Sequence, residues 1–124
     1  MSVLVIRRVI GCLVLALPAA GAFAATHNVS VGGAGFTFSP ASITIPQGDT
    51  VTFTNAGGFH NAVSDDSGVT FSSGAADGSA WTYTTPPLNA NIGYHCTVHG
   101  AAGAGMFGTI NVVIPVQLQS FEVD

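Results

Sequence analysis

Residues 92–114 read IGYHCTVHGAAGAGMFGTINVVI. Ile92 to Cys96 has the look of a strand, Phe107 to Ile114 is the strongest strand pattern in the chain, and residues 100–105 between them hold only Gly and Ala. β-Branched and aromatic residues suit a pleated sheet, and a Gly/Ala run suits a connection that must turn without bulky side chains. Onto this frame the chain places a thiol, an imidazole and a thioether. Cys96 and His99 leave the first strand at Cys-x-x-His spacing, and Met106 stands where the second strand begins.

The sequence upstream follows the same grammar. Asn28 to Val31 is expected as a first strand, Gly32 to Gly35 as a turn, and Phe36 to Phe38 as a short alternating run ended by Pro40. Ile43 and Ile45 share one face of the next strand, and Pro46 to Asp49 turns the chain. Thr50 to Thr54 then alternates, with Val51 and Phe53 inward and the threonines outward. Residues 55–58 read as a turn and Phe59 to Val63 as a short strand. Residues 64–79, rich in Ser, Gly, Asp and Ala, read as a long connection in which Val69 to Phe71 touches the sheet. Trp81 and Tyr83 share a face of the strand that Pro86-Pro87 stops. No long segment has helical period. About seven or eight short strands in roughly a hundred residues predict an all-β, two-sheet Greek-key sandwich.

The first residues stand apart from this pattern. Arg7 and Arg8 precede an apolar run from Val9 to Leu17, Pro18 breaks it, and Ala22-Phe23-Ala24 offers small residues before a cut. That is the three-part form of a secretory signal peptide. The competing reading, a retained anchor, needs about 20 apolar residues, more than the run supplies. The expected organisation is a signal peptide over 1–24, a folded domain over 25–114, and a tail over 115–124 to which no role is given. Localisation is then secreted, or periplasmic in a Gram-negative source, with no lasting membrane insertion after cleavage.

Both arginines leave with the signal, and the chain has no lysine. Residues 25–124 therefore carry six acids (Asp49, Asp65, Asp66, Asp77, Glu122, Asp124) and no Lys or Arg. Nucleic acid is excluded as a partner, because neutralising phosphate takes Lys and Arg. Cys12 also leaves, so Cys96 stands alone and cannot form an internal disulfide. It is then an inert buried thiol, an intermolecular bridge or a ligand.

Its neighbours favour the ligand. His60 lies far upstream, between a glycine-rich turn and a short strand, and in a sandwich the two regions can meet at one end. Thiolate and thioether suit Cu(I), and imidazole suits both copper states. Two His and one Cys with a weak axial Met are the donor set of a blue-copper electron-transfer site. Taken singly, each residue is more often ordinary: a surface or core histidine, a packing methionine, a buried thiol. Their combination around one strand–loop–strand unit is what points to copper.

The chain resembles the small cupredoxins of the plastocyanin and pseudoazurin kind over nearly all of residues 26–114. The resemblance runs through Phe36-x-Phe38-x-Pro40, Ile43 to Asn55 with Gly48-Asp49, His60-Asn61, Tyr94-x-Cys96-x-x-His99 and Met106-x-Gly108-Thr109-Ile110-x-Val112. It implies one copper per chain, with His60, Cys96 and His99 as strong ligands and Met106 as the axial one. It also implies that Asn61 ties the two ligand loops together; the plain alternative is a turn asparagine. One departure stands out. Six residues separate His99 from Met106, where such proteins more often have about four, so the loop either bulges and still delivers Met106 or leaves its sulfur farther from copper.

By the same resemblance His99 is the ligand nearest solvent, and the uncharged stretch from Gly100 to Gly105 beside it is where redox partner proteins would dock. A monomer is expected. His95 points to the face of its strand opposite Cys96, either as a second electron route or as a solvated strand histidine. His27 follows Ala25-Thr26, so a cut after Ala24 would give an amino-terminal motif that suits square-planar Cu(II); the alternative is a plain first-strand histidine. The leading function is an electron carrier and not an enzyme. Copper storage or delivery with the same ligands is the second reading, and no Gly-x-Ser-x-Gly hydrolase motif is present.

Overall fold

The computed structural model describes residues 24–115. The expected signal peptide up to Phe23 and the tail beyond Pro115 lie outside the described residues. Eight strands follow one another, with no helix among the described residues: β1 (Thr26–Gly32), β2 (Phe38–Ser39), β3 (Ser42–Pro46), β4 (Thr50–Gly57), β5 (Val63–Ser64), β6 (Thr82–Thr84), β7 (Ile92–Ala101) and β8 (Ala104–Val113). They form two four-stranded sheets, ordered β2-β1-β4-β6 and β3-β8-β7-β5. Both sheets are mixed. β1 runs parallel to β4 and β3 parallel to β8, while the other neighbours are antiparallel.

The period-two pattern explains the layering. Val29 and Val31 on β1 and Val51 and Phe53 on β4 alternate into the interior and are buried. The threonines between them face out and pair across strands, Thr26 with Thr50 (3.2 Å) and Thr52 with Thr84 (2.7 Å). From the other sheet come Ile45, Tyr94 and Ile110. Phe71, from the long connection, also enters the core, whereas Val69 is exposed.

Three local expectations need correction. Residues 55–58 are not a turn: β4 continues to Gly57, because β1 supplies parallel partners as far as Gly32. Phe59 to Val63 is not a strand. His60 makes one isolated bridge to Asp77 instead, and only Val63–Ser64 pairs with β7. Phe36 lies outside β2 and is exposed, for a reason that belongs to the metal centre.

Tyr94 sits at the middle of the aromatic core, edge-on to Phe38 and Phe53. Its ring fits because Gly108 opposite has no Cβ to meet the phenol. The buried hydroxyl has no hydrogen-bond partner, and burial raises its pKa above the ordinary tyrosine range. An unpartnered buried hydroxyl costs about 1–3 kcal/mol. Tyr94→Phe is therefore expected to raise the denaturation midpoint, read by urea titration. A lower midpoint would show that the hydroxyl is satisfied in solution.

Candidate metal centre

The β7–β8 unit shapes one half of the centre. His95 pairs with Phe107, and the next pair in register is Gly100 with Gly105. Between those rungs the segment Cys96–His99 of β7 faces Met106 alone on β8. This wide bulge turns Cys96 and His99 to the same end of the sandwich. Beyond it, residues 100–105 do not bulge. They continue the ladder through Ala101 and Ala104 and close at Ala102-Gly103. The two extra residues thus become a rung of a β-ribbon. Gly103 and Gly105 adopt φ of 70° and 69°, the left-handed region that favours glycine. A Cβ on Gly100 would lie 2.6 Å from the Met106 nitrogen, so the missing side chain lets the two backbones close. Met106 itself is buried.

His60 forms the other half, just past the end of β4. Its main chain exchanges two hydrogen bonds with Asp77 (3.2 and 3.0 Å), and its carbonyl accepts from Trp81 Nε1 at 3.1 Å. Asn55 Nδ2 donates to the carbonyls of Gly58 (2.9 Å) and Ser79 (2.8 Å), which pins both sides of the turn. The ring occupies space left by two glycines. A Cβ on Gly32 would sit 2.6 Å from His60 Nε2, and one on Gly58 would overlap the same atom.

The two halves bring three donors together. His60 Nδ1 and His99 Nδ1 are 3.1 Å apart, and Cys96 Sγ lies 3.9 Å from the first and 3.6 Å from the second. The point equidistant from all three is about 2.1 Å from each, the length of bonds from a first-row metal ion to imidazole and thiolate (about 2.0–2.3 Å). Burial, and then the nearness of His99, hold the His60 pKa below the ordinary histidine value. The imidazole is therefore neutral near pH 7 and offers a lone pair. A soft sulfur donor and two imidazole nitrogens, already converging, fit copper.

The surroundings hold these donors in place. Asn61 Oδ1 accepts from the Thr97 amide at 2.8 Å, while its Nδ2 donates to Thr97 Oγ1 and to the Gly74 carbonyl, each at 2.9 Å. The residue after one histidine is thus bonded to the residue after the cysteine. Phe36 stacks on His99, with centroids 3.9 Å apart and planes 13° from parallel, and stands edge-on to His60 at 6.0 Å. Its exposure is explained, since the ring roofs the outer imidazole.

Residues 25–113 match the model of copper-binding proteins of the plastocyanin/azurin family. The chain belongs to that family. This cupredoxin binds copper, and known proteins resemble it in both sequence and fold. It is 32% identical to a chloroplastic plastocyanin of Oryza sativa subsp. indica, over 78% of this chain and 68% of the rice protein. It is 39% identical to plastocyanin of Scenedesmus fuscus, over 60% of this chain and 85% of the algal one. A mutant fern plastocyanin superposes with a TM-score of 0.57 at 26% identity, over 69% of this chain and 99% of its own.

The remaining sequence candidates of this cupredoxin lie apart from the donor triangle. His95 Nδ1 bonds Asp65 Oδ1 at 2.6 Å on the outer face of β7. Asp66 is held inside its own loop by Ser64 and Thr70, which lower its pKa to about 2. His27 lies near the start of β1, the end remote from Gly32 and His60, and bonds Asp49. Two contributors escape a reading of the sequence. Phe36 looks like half of a strand alternation, and Trp81 like a sheet-face aromatic. Gly58, two residues before His60, was the one local hint in the sequence that the ring needed room.

Proposed function

We propose that this chain is an exported single-electron carrier in which His60, Cys96 and His99 are the strong copper ligands and Met106 the weak axial one. The donor triangle carries the reading. When bound, copper supplies a one-electron Cu(II)/Cu(I) couple. The protein supplies a frame in which the donors already converge, so little rearrangement opposes a change of charge. Asn61 and Thr97 lock the two ligand loops to each other, and Asp77 and Trp81 fix the main chain of His60.

Relatives support a carrier over an enzyme. The named sequence relatives are plastocyanins, and the chain covers only 23% of a copper-containing nitrite reductase from Thermus scotoductus that shares its fold. Redox proteins are proposed to dock as transient partners of a monomer near His99, where Phe36 and Val98 are exposed and the ribbon tip is uncharged. The reading is tested by adding Cu(II) to metal-free protein. One equivalent should produce an intense visible band and a reversible voltammetric wave. A colourless complex that releases copper without a wave would favour storage or delivery.

Two variants probe the finer parts. Met106→Leu should keep the colour and raise the potential, on the order of tens of millivolts, because a weak donor to Cu(II) is lost. An unchanged wave would show that the sulfur does not reach the metal. Ala102→Lys places a charge at the ribbon tip, where Ala102 and Gly103 form the turn. It should slow electron exchange with a basic cytochrome c at every ionic strength, measured by stopped flow, because close approach is spoiled. No change would move the docking surface to the His95 side.

A further inference from the structure

The opposite end of the molecule holds a carboxylate whose two oxygens are both assigned. Asp49, just before β4, is buried; its Oδ1 accepts from the Ala25 nitrogen at 3.1 Å, and its Oδ2 lies 2.9 Å from His27 Nε2. The main chain around it is equally fixed. Its amide donates to Pro46, its carbonyl accepts from Leu88, and the Ala25 carbonyl accepts from Thr50. Ala24, Ala25, Gln47, Asp49 and Pro115 share one open cleft.

A buried carboxylate calls for a cation. Residues 25–124 contain neither Lys nor Arg. In an uncut chain Ala25 offers Asp49 only a neutral amide N–H. Hydrolysis of the Ala24–Ala25 peptide bond adds one water, leaves a carboxylate on Ala24, and turns that same nitrogen into an ammonium. An α-amino group has a pKa of about 7.7–8.0 and is largely charged at neutral pH. We propose that Asp49 is the receptor for the amino terminus that export cleavage creates between Ala24 and Ala25. Maturation converts a neutral hydrogen bond into an ion pair, with His27 on the other carboxylate oxygen. The first strand is then clamped at its outer end, while Gly32 at its inner end seats His60. This rests on the export reading, and the experiment separates the two.

The chain has no lysine, so the mature protein carries a single primary amine. Full-length protein is exported from a bacterial host, purified and weighed by intact-mass spectrometry. The expected mass is that of residues 25–124; any other start overturns the proposal by removing the amine from Asp49. The purified protein is then treated with an acetylating N-hydroxysuccinimide ester at pH 7. Acetylation should be several-fold slower in the folded protein than in urea, and the acetylated product should melt some degrees lower. Asp49→Asn should restore fast labelling. A form with one Gly inserted before Ala25 should label fast and melt lower, because the amine then sits one residue away from Asp49. That form, and the labelling of unaltered protein, keep the test decisive even if Asp49→Asn alone folds poorly. If the folded protein labels as fast as the unfolded chain and its melting is indifferent to acetylation, Asp49 does not hold the terminus.

Discussion

Cys96→Ser protein is expected to fold, to show no intense visible band with Cu(II), and to lose the reversible copper wave. The sulfur is buried 3.6 and 3.9 Å from the two imidazole nitrogens and would supply the soft donor of the proposed triangle. A serine hydroxyl is nearly the same size but is neutral, hard and a poor ligand for Cu(I). Charge transfer from thiolate to copper disappears with the thiolate. The fold pays only for a small buried hydroxyl, about 1–3 kcal/mol if it finds no partner. A visible spectrum, a voltammogram and a thermal melt of the same sample separate the outcomes. An intense band that survives in Cys96→Ser would remove the cysteine from the metal centre.

Gly32→Ala, which touches no proposed ligand atom by chemistry, is expected to be nearly as damaging. Gly32 has φ of 66°, where a residue with Cβ costs about 1–2 kcal/mol. The added carbon would also overlap the Gly57 carbonyl oxygen and come within 2.5 Å of His60 Cδ2. That carbonyl cannot step aside, because it accepts from Gly33 at 3.0 Å and sits where β1 and β4 pair. The ring must move instead, away from Cys96 and His99. Stability should fall by about 2 kcal/mol or more, and copper affinity by at least about tenfold, measured by denaturant titration and by competition with a chelator. Gly48→Ala is the control. It has φ of 91° but open space around it, so it carries the strain without the collision and should leave copper affinity unchanged.

Much of the sandwich was legible because its strands obey period two. Val51 and Phe53 point inward and the threonines beside them outward, as the alternation requires. The meeting of His60 with Cys96 and His99 was legible as chemistry before it was visible as geometry. What escaped had no local signal. Gly and Ala carry no alternation, so the ribbon from Gly100 to Gly105 read as a loop; only its ladder reveals it. β4 outran its expected end because its last rungs are made by β1, distant in sequence. Asn55, which resembles the first residue of a turn, in fact reaches past the strand end to hold Gly58 and Ser79. Phe36 broke the inside–outside rule because stacking on His99, not core burial, governs its position.

The ribbon between His99 and Met106 makes length a matter of parity. An antiparallel ladder counts in pairs, and each pair added at the tip moves the turn outward by one rung while the base rung of Gly100 and Gly105 stays where it is. Insertions of even length are thereby invisible to Met106. A single inserted residue has no partner on the other arm and must be taken up by a longer turn or a bulge at the tip. The reach of this arm can drift or be re-engineered in steps of two without retuning the metal, so the tip behaves as an interchangeable fitting on a fixed socket.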